Sequence, residues 1–113
     1  MIDVGHSAEV RRRFTPAELS ALGAADRVPE PLLAALISML LGMHLPGQGT
    51  NYLKQSLVFP AAAPPDAEIV ARVTVTRLRP DTRLVDLWAT CHADGVLVCE
   101  GRSLVKAGVD TIF

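Results

Sequence analysis

From residue 67 onward the apolar positions fall on every second residue. Ile69, Ala71, Val73 and Val75 alternate with their neighbours, and Val85, Leu87, Ala89 and Cys91 repeat the pattern. A period of two turns one side of a segment to a core and the other to water, as half-buried strands require. This rhythm predicts strands over Ala67–Leu78, Leu84–His92 and Leu97–Lys106, with a further strand at Tyr52–Phe59. Turn formers fall between them. Arg79-Pro80-Asp81-Thr82 and Ala93-Asp94-Gly95 read as hairpin turns, the second carrying the Asp-Gly pair that two-residue hairpins favour, and residues 61–66 link the first two of the four strands.

Upstream the period changes. Met1 to Arg13 reads as a short strand or extended arm. Thr15 then suits an N-cap, Pro16 the first helical position, and Glu18 the third residue of a capping box, which predicts a short helix over Ala17–Ala25 ending near Gly23. A second helix begins near Pro31, with Glu30 placed against the positive end of its dipole and Gly42 as the stop signal. Leu32 to Leu41 is apolar on nearly every side, and a helix apolar all round is a buried one. The order is a strand, a short helix, a buried helix and a meander of long strands. That is α+β, one antiparallel sheet wrapped around one helix.

Composition narrows the function classes. At 113 residues the chain is sized for one domain, residues 1–113, with a single core. Eleven basic and twelve acidic residues leave a formal charge of −1, which offers no general attraction to nucleic acid. The apolar run Leu32–Met43 is too short to span a bilayer, and the three arginines at 11–13 are not followed by a leader-like apolar stretch. Two cysteines, Cys91 and Cys99, are too few for a disulfide scaffold or a four-cysteine zinc site and suit a reducing compartment. A cytoplasmic domain with no membrane and no nucleic-acid partner is expected.

Three stretches carry a more specific likeness. Val4-Gly5-His6-Ser7-Ala8-Glu9 with Arg13-Phe14-Thr15, the loop Leu41-Gly42-Met43-His44-Leu45-Pro46-Gly47-Gln48-Gly49-Thr50, and the strand Tyr52-Leu53-Lys54-Gln55-Ser56-Leu57-Val58-Phe59 together resemble the MaoC-like family of (R)-specific enoyl-CoA hydratases and 3-hydroxyacyl dehydratases. The resemblance runs from about Val4 to Lys106 and implies a hot-dog fold, an acyl-CoA or acyl-carrier-protein thioester as ligand, no cofactor, and pairing with a second hot-dog subunit as a homodimer or heterodimer. Active members carry an Asp-x-Asn-Pro-x-His segment between the first and central helices. Here Ala21-Leu22-Gly23-Ala24-Ala25-Asp26 runs directly into Arg27-Val28-Pro29-Glu30-Pro31, so that segment is missing.

Two carboxylates are the candidate catalytic residues. Glu30, at the start of the central helix, sits where some hot-dog thioesterases place a general base or nucleophile. The plainer role is to complement the helix dipole, worth about 0.3–1 kcal/mol. Asp26 reads either as a remnant of the catalytic Asp or as a solvated carboxylate at a helix end. His6, His44 and His92 have no neighbours at metal-ligand spacing, and Ser38 and Ser56 have no histidine base near them in sequence. Trp88, Phe59 and Tyr52 lie on predicted strands, where core packing is the expectation. Arg11, Arg12 and Arg13 read as a solvated arm or as a contact to a CoA phosphate. The resemblance and the missing segment leave three functions open: a hydratase or dehydratase of acyl thioesters, a non-catalytic subunit of a hot-dog pair, and a thioesterase using Glu30.

Overall fold

A computed structural model describes residues 1–24 and 26–113. The period-two segments form β3 (Glu68–Arg79), β4 (Leu84–Ala93) and β5 (Val96–Lys106), preceded in the chain by β1 (Ser7–Arg13), α1 (Pro16–Ala21), α2 (Glu30–Met43) and β2 (Asn51–Val58). All neighbouring strands are antiparallel, in the order β1-β3-β4-β5-β2. The inward residues Ile69, Ala71, Val73, Val75, Val85, Leu87, Ala89, Cys91, Cys99 and Val105 are all buried. They meet Leu33, Leu36, Ile37, Leu40 and Leu41 of α2, a stripe at helical spacing. One curved sheet thus wraps one helix, the hot-dog arrangement expected from the resemblance.

Local chemistry accounts for the boundaries. Thr15 and Glu18 close the expected capping box at the start of α1. The helix then ends in a Schellman motif: Gly23 adopts a φ of 76°, its N–H donates to Ser20 O, and Ala24 N–H donates to Leu19 O. α1 therefore stops at Ala21, short of the expected end; Ala25 itself lies outside the described residues. Asp94 and Gly95 both have positive φ, the twist-matched turn the Asp-Gly pair predicts between β4 and β5.

Three expectations need correction. Gly42 does not stop α2: it has no positive φ, and the helix continues to Met43, with His44 as C-cap donating its N–H to Leu40 O. Nor is α2 enclosed on all sides. Five strands cover one face only, leaving Pro31, Ala35, Ser38 and Gly42 exposed on the other. Trp88 is not a core residue either: its parity on β4 is opposite to that of Leu87 and Ala89, and 46% of its surface is exposed on the outer face of the sheet.

Candidate functional site at the start of the central helix

The exposed face of α2 and the edge strand β2 leave a groove between them. Glu30, Pro31 and Ala34 from the helix face Gln55, Leu57 and Phe59 from the strand side around a space of about 330 Å³. A second hollow of about 220 Å³ shares Glu30 and Phe59 and is lined further by Arg27, Leu33 and residues 60–63. The two meet at the first turn of α2. Val28, just ahead of that turn, is tied to the β2–β3 link by an isolated bridge to Ala63, with Val28 N–H donating to Ala63 O at 2.8 Å.

The helix terminus is chemically open. Its N-cap is Pro29, which has no side-chain cap, and Pro31 has no N–H to offer. Leu32 and Leu33 N–H both donate to Pro29 O, whereas Glu30 N–H has no partner among the described residues. One backbone donor, one carboxylate and the positive helix end therefore converge on a groove with an apolar wall. Such a terminus can hold a carbonyl oxygen against the N–H, with Glu30 beside it as a base.

The sequence-derived candidates separate here. Glu30 lines both hollows; Asp26 is exposed on the connection before it and is in neither lining. Among the described residues no histidine joins Glu30. His44 caps the far end of α2, about 20 Å away at 1.5 Å per residue, His6 precedes β1, and His92 is on the outward-facing parity of β4. Among the described residues no group of His, Cys, Asp and Glu could hold a metal ion. The arginine cluster is tied down along β1: Arg11 bonds Glu68 at 2.9 Å, Arg12 bonds Glu18 at 2.7 Å, and Arg13 bonds Asp66 O.

Beneath the groove lies a feature that sequence spacing only hinted at. Cys91 and Cys99 are direct cross-strand partners, both buried and both free thiols, and Cys91 Sγ approaches Leu33 O in the first turn of α2. The Cys99 neighbour and burial push the Cys91 thiol up, which keeps it protonated and unreactive. Gln55 and Leu57 belong to the strand that carries the family likeness, and Glu30 to the helix start, but sequence spacing alone gives them no common place. Only the pairing of β2 beside α2 brings them to one place.

Comparison with known proteins adds the following. No family model matches the chain. It is 33% identical to the (R)-specific enoyl-CoA hydratase of Aeromonas caviae, over 93% of this chain and 95% of that protein. It is 36% identical to the 3-hydroxybutyryl-CoA dehydratase of Methylorubrum extorquens, over 92% of this chain and 70% of that protein. The solved (R)-hydratase of A. caviae superposes with a TM-score of 0.87 at 32% identity, covering 94% of this chain and 97% of that one. The ChsH1–ChsH2 complex of Mycobacterium tuberculosis shares the fold, with a TM-score of 0.78 at 12% identity over 95% and 99% of the two chains.

Proposed function

This chain belongs to the MaoC-like family of (R)-specific enoyl-CoA hydratases and dehydratases, and we propose that within it the chain binds an acyl thioester without hydrating it, as one subunit of a hot-dog pair. The observation that carries this reading is the connection between α1 and α2. Residues 22–29 contain no histidine, and the bridge from Val28 to Ala63 holds their end against the β2–β3 link. Hydration of an enoyl thioester needs one group to activate water and another to protonate C2. Among the described residues lining the two hollows, Glu30 is the single carboxylate.

The remaining features suit binding. The Glu30 N–H accommodates a thioester carbonyl, and the wall of Leu57, Phe59 and Ala34 accommodates an acyl chain. The groove opens along β2, whose free edge exposes Leu53 and Val58 and is suited to continue into a partner sheet. A partner there would close the groove and bring its own side chains to the thioester. Its acid and base could complete the chemistry, as in a heteromeric assembly like that of ChsH1 and ChsH2.

The test is turnover of crotonyl-CoA by the purified chain, followed by loss of enoyl absorbance, with free CoA measured in the same samples for wild type and Glu30→Gln. The expected result is no hydration and no CoA release. Hydration by the wild type alone would overturn the reading. CoA release abolished by Glu30→Gln in a folded protein would replace it with a thioesterase.

A further inference from the structure

The outer face of the sheet carries a second constellation, on the opposite side from Glu30. Strand register lines up Trp88, Arg102 and Ser56 across β4, β5 and β2, with Lys54 and Leu104 paired one step further along. Lys54, Ser56, Arg102 and Leu104 line a groove of about 270 Å³. Arg102 is held in place rather than loose. Its Nε donates to Asp86 Oδ1 at 2.7 Å and its Nη2 pairs with the same oxygen, while Asp86, only 5% exposed, is also bonded by Arg79 at 2.9 Å. One carboxylate is therefore shared by two guanidinium groups. Arg102 Nη1 and the Lys54 ammonium have no carboxylate partner among the described residues. Glu100 stands two residues along the same face of β5, outside the groove lining.

We propose that this face binds a nucleoside polyphosphate, with its base stacked on Trp88 and its phosphates in the Lys54–Ser56–Arg102 groove. Neighbouring strands are about 4.8 Å apart, so the Trp88 ring and the groove floor stand about 5–10 Å from one another, a span that matches the reach from a base to its phosphates. The donors are of three kinds from two adjacent strands: a guanidinium edge on β5, and an ammonium and a hydroxyl on β2. That arrangement suits a tetrahedral oxyanion better than a planar carboxylate. Trp88 is the exposed aromatic on this face, open enough to offer its ring to a base. The proposal is independent of the thioester reading, because the site lies across the sheet from Glu30 and shares no residue with it.

The chain has one tryptophan, so its fluorescence reports on this site alone. ADP titrated into the intact protein, with excitation at the red edge of the indole band, is expected to give saturable quenching that inorganic pyrophosphate reverses. Lys54→Gln is expected to weaken ADP binding about tenfold, the loss of one charge-assisted contact, with thermal stability unchanged. CoA, which bears an adenosine diphosphate, tells the two sources apart: tighter binding than ADP assigns the site to the nucleotide end of a thioester carrier, and equal or weaker binding to a free nucleotide. Absence of saturable quenching by either ligand would overturn the proposal. So would equal quenching by unphosphorylated adenosine, or ADP binding unaltered by Lys54→Gln.

Discussion

The two edges of the sheet are built to opposite rules. Along β1, charge guards the edge: Arg11 bonds Glu68, Arg12 bonds Glu18, and Arg72 on the next strand approaches Glu9 at 3.9 Å. Pairing another strand there would bury or displace these ions, a known device against edge-to-edge association. Along β2 no ion pair forms among the described residues, and Leu53 and Val58 are 53% and 59% exposed. One edge is closed by its own side chains. The other carries exposed apolar side chains, and the Glu30 groove opens beside it.

The largest effect is expected at the seat of β2. Gly101 on β5 pairs with Leu57, and a Cβ there would lie inside the contact distance of the Ser56 carbonyl oxygen and 2.8 Å from Leu57 Cα. Backbone cannot yield as a flexible side chain can. Gly101→Ala should therefore cost about 3 kcal/mol or more in urea unfolding and loosen β2, with the Glu30 groove lost with it. Retention of wild-type stability would show that β2 is held less tightly than its pairing to β5 indicates. A gentler change separates edge from fold. Leu53→Lys combined with Val58→Lys gives β2 the kind of guard that β1 has. Where wild type pairs through β2, light scattering should then report a monomer, with unfolding free energy within about 1 kcal/mol of the wild-type monomer, since a surface substitution usually moves stability by about 0.5 kcal/mol or less. A double variant that still dimerises would place the partner surface elsewhere, on the exposed face of α2 first of all.

How much of this was legible beforehand follows from the range of each interaction. The capping box joins Thr15 and Glu18 within one turn, and the Asp94-Gly95 turn is local, so residue type alone predicts both. Period two located β3, β4 and β5 because each buries one whole side. The same parity would have placed Trp88 outside, beside the inward Leu87 and Ala89; a general preference for burying aromatics hid it. The bare face of α2 was harder to read. Ala35, Ser38 and Gly42 fit a buried helix as well as an exposed one, and only the extent of the sheet decides between them. The Arg79–Asp86–Arg102 cluster joins residues 7 and 16 positions apart through strand register, which no local pattern encodes. For the site, Glu30 was readable from its place at the helix start. Gln55, Leu57 and Phe59 came to it only through tertiary pairing.

The guarded edge can also be loosened by pH. Glu18 bonds Arg12 and accepts the Thr15 N–H, and these partners, the arginine first, hold its carboxyl down at about 2. In the unfolded chain the same group titrates near 4.3. A carboxylate depressed on folding stabilises the native state above its unfolded value and loses that contribution as pH falls through the folded one. Glu18→Gln should therefore lower the melting temperature slightly at pH 7. The gap to wild type should narrow below about pH 4, be small by about pH 2, where native Glu18 is half protonated, and close only below that, where both proteins carry an uncharged side chain at this position. Because the pair is exposed to solvent, the gap should also shrink in molar salt. A gap constant from pH 7 to pH 2 would assign the effect to the shape of the capping box and leave the Arg12–Glu18 charge pair with no part in guarding β1.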